Sequence, residues 1–256
     1  MNIIIKTLDD ITKIKQAVEI WKKVKIVLIE NCKPGVSLEF LDNLAKKTIE
    51  SYNAIPTFYK AYGYSKNICI SVNECVIHGV PNNYIIRDKD LITFDVGVTY
   101  LDHVCDAAFS VIVGNNKEAE KIKFVCENSL KLVKNIIKPG TTNLAIAKFI
   151  QDYVTSQGYY ILHNFTGHGC GNKMHEDPPF PNYVSSLFPV IKLKENMVFC
   201  LEPMIMTGSN EYYIADNGWD VIACNKQLTC HCEDMFLVTN DGCVVLTNQE
   251  DKNEHN

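Results

Sequence analysis

The sequence repeats one turn-and-helix pattern at a separation of 105 residues. KPGVS occupies residues 33–37 and KPGTT occupies residues 138–142, so that Lys33 corresponds to Lys138. At the same offset, three apolar pairs match after the turn: Leu41 with Ile146, Leu44 with Phe149, and Ile49 with Val154. This match favours an internal duplication, in which a functional site would lie between two similar halves.

Each half is expected to contain a helix, the KPG turn, a second helix and then strands. Apolar residues with helical spacing predict helices over residues 10–31, from the first turn to about 52, over 117–137, and from the second turn to about 158. Asp9 or Asp10 would cap the first helix. Turns before Ser or Thr caps are common, so coincidence is the alternative. Four matching elements favour duplication.

Apolar runs predict strands in the rest of the chain. Ile68, Ile70 and Val72 alternate with other residues, whereas LITFDVGV (91–98) and MVFCLEPMIM (197–206) are apolar runs that each hold a carboxylate. The segments 234–239 and 243–247 flank Asn-Asp-Gly, which is typical of a hairpin turn. We therefore expect one domain over residues 1–250, followed by a polar tail at 251–256.

Composition excludes several classes of function. The net charge of -5 and the pI near 5.8 argue against a nucleic-acid-binding protein. The 11 cysteines include no CxxC pair, which indicates thiols in a reducing cytoplasm rather than a disulfide framework. The sequence contains no signal peptide and no run of 18 apolar residues, so we expect a soluble, cytoplasmic protein.

Three carboxylates stand within or beside apolar strands, where an unpaired charge is costly. They are Asp95 in ITFDVGV, Glu202 in VFCLEPM and Glu233 ahead of MFLVT. Together with Asp106 and His168 they suggest one shared cation site. Asp106 alone would be interpreted as a solvated strand end. Four carboxylates and one imidazole suit Mn, Fe, Co or Zn, and bridging carboxylates suit two metals that activate a water.

The segment NFTGHGCGNKMHEDP, residues 164–178, holds two histidines seven residues apart. The glycines around His168 are expected to keep side chains away from a metal and its substrate. His175, and His78 in CVIHGVP, could donate to a substrate and move a proton. Taken alone, a loop histidine such as His78 is more often a solvated or turn-capping side chain.

Seven motifs in order give the chain a resemblance to the type I methionine aminopeptidases over nearly its whole length. They are NECVIHGVP, TFDVGV, CDAAFS, TGHGCG, MHEDP, LEPM and the glutamate ahead of MFLVT. The resemblance implies an α+β class, the duplicated pita-bread fold, with a central antiparallel sheet covered by helices and pseudo-two-fold halves. It also implies a metallo-exopeptidase, a hydrolase that removes initiator methionine.

The resemblance assigns roles by position. It implies two divalent ions (Co, Mn, Fe or Zn) held by five ligands, of which Asp95 and Glu233 would bridge or chelate: Asp95, Asp106, His168, Glu202 and Glu233. It also implies three catalytic residues. His175 would stabilise the scissile carbonyl or its tetrahedral intermediate, His78 would contact the amide nitrogen, and Glu202 would carry the proton of the attacking water.

The expected methionine pocket matches the family only in part. Tyr64, Cys69 and Trp219 stand at family positions, and Met174 replaces an aromatic residue found in many relatives. Phe58 and Ala61 stand where the best-known bacterial forms have a cysteine and a tyrosine, so the pocket is remodelled. Sulfur-containing and aromatic walls still suit an unbranched thioether.

A second departure lies before the last strands. The family usually has Gln-x-Glu-His, whereas this chain has His231, Cys232, Glu233 and Asp234. On a strand, Asp234 would point away from Glu233, so the ligand is kept while its hydrogen-bonding neighbours change. Cys230, His231 and Cys232 could suggest a separate zinc site, but no partner ligands stand at a usual spacing, which favours plain strand residues.

The expected activity is removal of methionine from nascent polypeptides at the ribosome, with a small second residue, by a monomer that binds neither nucleic acid nor membrane. One rival is a proline-specific peptidase of the same fold, which would normally carry an additional N-terminal domain. The other is a binding module of the same fold that has lost its metal. The presence of all five ligand positions and of both histidines argues against the second rival.

Overall fold

The computed structural model describes residues 1–248. Four α-helices are present in this part of the chain: α1 (Leu8–Asn31), α2 (Leu38–Ser51), α3 (Lys117–Val133) and α4 (Asn143–Ser156). Short 3-10 turns cover Ala61–Gly63, Lys134–Ile136 and Cys224–Lys226. All four predicted helices are confirmed, with α3 ending earlier than expected because its last turn tightens into a 3-10 helix. The polar tail predicted at 251–256 lies outside the described residues.

The cap predicted for α1 is wrong. Thr7 is the N-cap, and its side chain accepts a hydrogen bond from the Asp10 backbone N–H. The Asp10 carboxylate in turn accepts from the Thr7 backbone, which makes Asp10 the third helical residue of a capping box. A carboxylate there also meets the positive end of the helix dipole.

The two KPG turns are built alike. Gly35 and Gly140 both have φ of +90°, a conformation that favours glycine, and the residue two positions after each, Ser37 or Thr142, caps the following helix. The backbone N–H of Gly35 donates to Ile86 O at 2.9 Å, and that of Gly140 donates to Leu193 O at 2.9 Å. The second helix of each half is therefore fixed to the same kind of segment.

Fifteen strands occur in the described residues: β1 (Ile55–Pro56), β2 (Cys69–Val72), β3 (Cys75–Ile77), β4 (Leu91–Tyr100), β5 (His103–Ile112), β6 (Tyr160–Ile161), β7 (Thr166–Gly169), β8 (Glu176–Pro181), β9 (Val198–Leu201), β10 (Met204–Met206), β11 (Tyr212–Ile214), β12 (Val221–Ala223), β13 (Thr229–His231), β14 (Asp234–Val238) and β15 (Cys243–Val245). One sheet has the order β1-β4-β2 with β5 on the other side of β4. A five-stranded sheet has the order β15-β14-β9-β7-β8, and two smaller sheets have the orders β13-β10-β6 and β11-β12-β3.

Every pairing between these strands is antiparallel, in agreement with the expected α+β class. The apolar run 197–206 does not form one strand. It divides into β9 and β10, which belong to different sheets. Pro203 lacks the N–H that a continuous ladder would need, so Glu202 and Pro203 form the crossing between the two sheets.

Two large apolar clusters form most of the core. In the first, α1 covers β4 and β5 while α2 packs against α1, β1 and β2, and the fully buried Trp21 donates from its ring nitrogen to Ala107 O at 3.2 Å. In the second, α3 and α4 pack against strands of the later half around Phe180, Phe199 and Phe236. No helix in the described range is long and apolar enough to cross a membrane.

Candidate metal centre

The β4–β5 hairpin carries the first two carboxylates. Asp106 lies directly opposite Gly97, and Asp95 lies two residues before Gly97 on the same face of β4. The two side chains are therefore diagonal neighbours on one face of the hairpin. A Cβ at Gly97 would come within 2.6 Å of the Phe58 ring. Glycine at this position therefore allows the loop between β1 and β2, which holds Phe58, to pack over the carboxylates.

His168 reaches the same place from β7. Its Nδ1 lies 3.0 Å from the Gly169 carbonyl, which can only accept a hydrogen bond, so Nδ1 carries the proton and Nε2 presents its lone pair. The expected role of the flanking glycines is corrected. A Cβ at Gly167 would lie 2.3 Å from Cys200 O, and one at Gly169 would lie 2.5 Å from Asp177 O. These glycines allow neighbouring strands to approach, rather than making room for a substrate.

The two glutamates lie where the chain passes between sheets. Glu202 stands between β9 and β10, and Glu233 stands between β13 and β14. Both crossings join the same pair of sheets. The Glu233 backbone also exchanges two hydrogen bonds with Ala108, at 2.9 and 3.2 Å, and Ala108 lies opposite Asp95. Glu233 thereby connects the later half to the hairpin of the first.

The candidate ligand atoms of these residues lie close together, and none of them donates a hydrogen bond to another. His168 Nε2 lies 3.6 Å from Glu202 Oε1, 3.9 Å from Glu233 Oε1 and 4.0 Å from Asp106 Oδ2. Buried oxygens with no hydrogen-bond partner in the described structure include Asp95 Oδ1, Asp106 Oδ1 and Glu233 Oε1. A lone pair that faces several carboxylate oxygens is repulsive unless a cation lies among them. The residues present therefore fit a divalent cation.

Electrostatics leads to the same conclusion. Burial raises the pKa of Asp95, Glu202 and Glu233 well above their ordinary values, and neighbouring carboxylates add to the effect. Burial also raises the pKa of Asp106 to about 7. It lowers the pKa of His168 to about 3, which keeps this imidazole neutral. The cluster would hold protons in place of a metal.

The ligand atoms fall into overlapping groups within which all atoms lie within 4.8 Å of one another. One group contains Asp95, Asp106 and Glu233, and another contains His168, Glu202 and Glu233. Glu233 is common to both. Oxygen-rich sets with one imidazole suit Mn, Fe, Co or Zn. The structure brings all five predicted ligands together, and the role of each stays a prediction.

His78 and His175 line the same cavity as the ligands. His175 packs edge-on against His168, with ring centroids 4.3 Å apart. His78 has φ of 59° and contacts the rings of Phe165 and Trp219 edge-on. Burial lowers the pKa of both histidines, to about 4 for His78, so both are neutral near pH 7. Neutral imidazoles can donate one hydrogen bond and accept another.

One cavity of about 530 Å³, which includes space open to solvent, contains the carboxylates of the centre and, beside them, an apolar pocket. Six side chains that the sequence singled out line it: Phe58, Ala61, Tyr64, Cys69, Met174 and Trp219. The Tyr64 hydroxyl lies 3.1 Å from Ile68 O and 3.0 Å from Gly79 O, which fixes its ring against Trp219. The pocket is thus apolar, rigid on one side and adjacent to the carboxylates.

Sequence reasoning missed three residues near the centre. Tyr62 lines the cavity and contacts His175. His231 was seen only as a departure from the family pattern. It is 2% exposed, and its Nε2 lies 3.8 Å from Glu202 Oε2. Cys126 lies beside Cys230 and Cys232, although no local spacing connects these three thiols.

Asp234 points away from the centre, as expected, and its Oδ1 accepts a hydrogen bond from the Thr247 hydroxyl at 2.6 Å. Glu233, however, does not lie on a strand, because β14 begins only at Asp234. Glu233 belongs to the crossing between two sheets and Asp234 is the first residue of β14, so strand alternation alone does not account for the divergence.

Comparison with known proteins agrees with this geometry. The sequence of residues 12–240 matches the family model of metallopeptidase family M24. The methionine aminopeptidase of Mycoplasma genitalium is 35% identical over 249 residues, which cover 96% of this chain and 100% of that protein. The methionine aminopeptidase structure from Thermotoga maritima has a TM-score of 0.93 at 29% identity, covering 97% of this chain and 100% of its own.

The prolidase from Pyrococcus furiosus shares the fold with a TM-score of 0.77 at 25% identity, but this chain covers only 66% of it. The expected pita-bread fold and the expected enzyme class, a metallo-aminopeptidase, are both confirmed. The chain therefore belongs to metallopeptidase family M24 and, within it, to the methionine aminopeptidases.

Proposed function

We propose that residues 1–250 form one catalytic domain that removes N-terminal methionine from polypeptides with a small second residue. The observation that carries this proposal is the meeting of five cation ligands, two neutral histidines and one apolar pocket in a single cavity. The pocket would bind the methionine side chain, whose thioether packs well against Tyr64, Trp219 and Met174. The scissile bond would then lie over the carboxylates.

The proposed centre holds two divalent cations, Co, Mn, Fe or Zn, on Asp95, Asp106, His168, Glu202 and Glu233. When bound, they would polarise the scissile carbonyl and acidify a water. Glu202 takes the proton of the attacking water and passes it to the leaving amine. His175 donates a hydrogen bond to the carbonyl oxygen as negative charge develops there, and His78 contacts the amide nitrogen.

The natural substrates in this proposal are the N-termini of nascent polypeptides, met at the ribosome by a cytoplasmic monomer. A small second residue is preferred because the ligands and both histidines crowd the space next to the scissile bond. The similarity to methionine aminopeptidases over nearly the whole chain supports this substrate class.

The test is release of free amino acids from three peptides, Met-Ala-Ser, Leu-Ala-Ser and Met-Lys-Ser, with Mn(II), Co(II) or Fe(II) added. We expect methionine from Met-Ala-Ser and little release from the other two. Equal release from Leu-Ala-Ser would keep the hydrolase and discard the methionine pocket. Equal release from Met-Lys-Ser would discard the small-residue preference. No release with any metal would overturn the proposed activity.

A further inference from the structure

Tyr62 makes a direct contact with His175 at the mouth of the cavity. Its hydroxyl lies 3.2 Å from His175 Nδ1, and the two rings stack with centroids 5.6 Å apart and planes at 19°. These two residues are 113 positions apart in the sequence. The contact therefore joins the loop between β1 and β2 to the segment between β7 and β8.

Burial does not hold Tyr62 in this position, because the residue is 73% exposed. Its backbone is left-handed, with φ of 50°, and its neighbours Lys60 and Gly63 have φ of 66° and 88°. A left-handed conformation costs a residue with a side chain roughly 1 kcal/mol or more and persists where its surroundings favour it. Among the described residues, His175 provides the hydrogen bond and the stacked ring that favour it.

The hydroxyl faces one particular nitrogen of the imidazole. A neutral imidazole has one protonated nitrogen and one lone pair, and its partners decide which is which. When a hydroxyl donates to Nδ1, the proton must reside on Nε2. A ring nitrogen of His175 also lies within 4.8 Å of His168 and Asp106 ligand atoms, so the ring reaches the centre where a carbonyl oxygen would need a donor.

We propose that Tyr62 is a positioning residue that donates to His175 Nδ1 and thereby keeps the proton on Nε2, directed at the substrate carbonyl. The catalytic consequence rests on the proposed function, whereas the choice of tautomer does not. Stacking restricts rotation of the imidazole ring, and the hydrogen bond selects one of its two tautomers. Together they would present a single donor before the substrate arrives.

The matched variants are Tyr62→Phe and Tyr59→Phe. Tyr62→Phe keeps the stacked ring and removes the hydroxyl. Tyr59 lies on the same loop, is 46% exposed, and has Lys46 and Lys60 near its ring, so Tyr59→Phe removes a hydroxyl without touching His175. Both residues are exposed, and we expect both variants to fold like the parent chain.

The first measurement is ¹⁵N NMR of the imidazole nitrogens in metal-free protein near pH 8. The His175 signals are assigned by their loss in His175→Asn. We expect the Nε2–H tautomer in the parent and in Tyr59→Phe, and a mixture of tautomers in Tyr62→Phe. An Nδ1–H tautomer in the parent, or an unchanged tautomer in Tyr62→Phe, would overturn the proposal.

The second measurement is kinetic, with Met-Ala-Ser and Mn(II). Loss of one neutral hydrogen bond predicts a fall in kcat of roughly three- to tenfold in Tyr62→Phe, with KM nearly constant. Tyr59→Phe should match the parent. A change in KM alone would indicate that Tyr62 only contacts substrate and would contradict the positioning role. If neither the parent nor either variant releases methionine, the proposed function fails, while the NMR result still decides the tautomer of His175.

Discussion

The two halves of the molecule begin alike and then differ in how they present their carboxylates. In the first half, Asp95 lies in the interior of β4, a strand of 10 residues paired along its whole length with β5. In the second half, Glu202 lies at a break after β9, where the chain passes to another sheet. Asp95 and Glu202 are 107 positions apart in the sequence. The same separation holds for Ile86 and Leu193, whose carbonyl groups accept hydrogen bonds from the glycines of the two KPG turns.

This difference shows which parts of two similar halves are constrained to repeat and which parts can differ. The turn and helix cap repeat because they fix each helix to its sheet, and both halves need that. The strand interior and the strand break give carboxylates different freedom. Asp95 is held by ladder hydrogen bonds on both sides, whereas Glu202 projects from a crossing that contains a proline. This difference would suit the proposed roles, in which Asp95 is a ligand and Glu202 also moves a proton.

The largest effect should come from removing each carboxylate in turn. We expect Glu202→Ala to lower methionine release by roughly a thousandfold and only weaken cation binding, because other ligands remain. Asp95→Ala should lose activity and most of the binding, because Asp95 lies on the rigid hairpin. Release assays and calorimetric titration with Mn(II) measure the two effects, with the exposed Glu120→Ala as control. An active Glu202→Ala protein would remove the proposed acid–base role.

Glycines beside the ligands offer a second test of rigidity. Gly167→Ala would place a Cβ 2.3 Å from backbone oxygen, whereas Gly97→Ala would meet the side chains of Phe58 and Thr57 at 2.6 and 2.7 Å. Overpacking costs typically 1–3 kcal/mol, and we expect Gly167→Ala at or above about 3 kcal/mol and Gly97→Ala nearer 1. Urea unfolding measures both, with Gly242→Ala as control, since its Cβ meets only Thr239 Oγ1 at 3.9 Å. Equal losses at Gly97 and Gly167 would contradict the distinction.

Metal stabilisation should depend on pH because both halves contribute carboxylates with raised pKa values. In metal-free protein these carboxyl groups keep their protons to higher pH than they do in the unfolded chain. Their contribution to the free energy of unfolding therefore falls as pH rises above about 4. It is lost as pH passes through their folded pKa values, of which that of Asp106 is about 7. A cation must displace those protons. We expect Mn(II) to raise Tm more at pH 7.5 than at pH 5.5, measured by scanning calorimetry, and an increment independent of pH would refute this.

The smallest effect tests the part that the halves share. Ser37→Ala and Thr142→Ala each remove a side-chain oxygen that accepts one backbone N–H at a helix start, at 3.1 Å in both cases. Each should cost about 1 kcal/mol of unfolding free energy. Thr155→Ala, on the exposed face of α4, serves as control. Losses of unfolding free energy that differ by more than twofold would show that the two helix caps do not stabilise their halves equally.

Local patterns predicted the helices and most of the candidate ligands, because apolar spacing and buried charge act over a few residues. The break at Glu202 was missed because an apolar run looks the same whether it continues in one sheet or crosses into another. Tyr62 was missed because its contact depends on a loop with three left-handed residues and on a partner 113 positions away. The Thr7 cap was overlooked because Asp10, its partner in the box, is itself a common cap.

One buried ion pair has a consequence for how the chain is made. Lys6 and Glu176 form a salt bridge with almost no exposed side-chain surface, and Glu176 Oε1 also accepts the backbone N–H groups of Asn172 and Lys173. Lys6 leaves the ribosome 170 residues before its partner. Until then its ammonium group has to stay in water, so the first residues of the chain dock late in synthesis. The loop that holds His175 is therefore completed by a segment that was synthesised well before it.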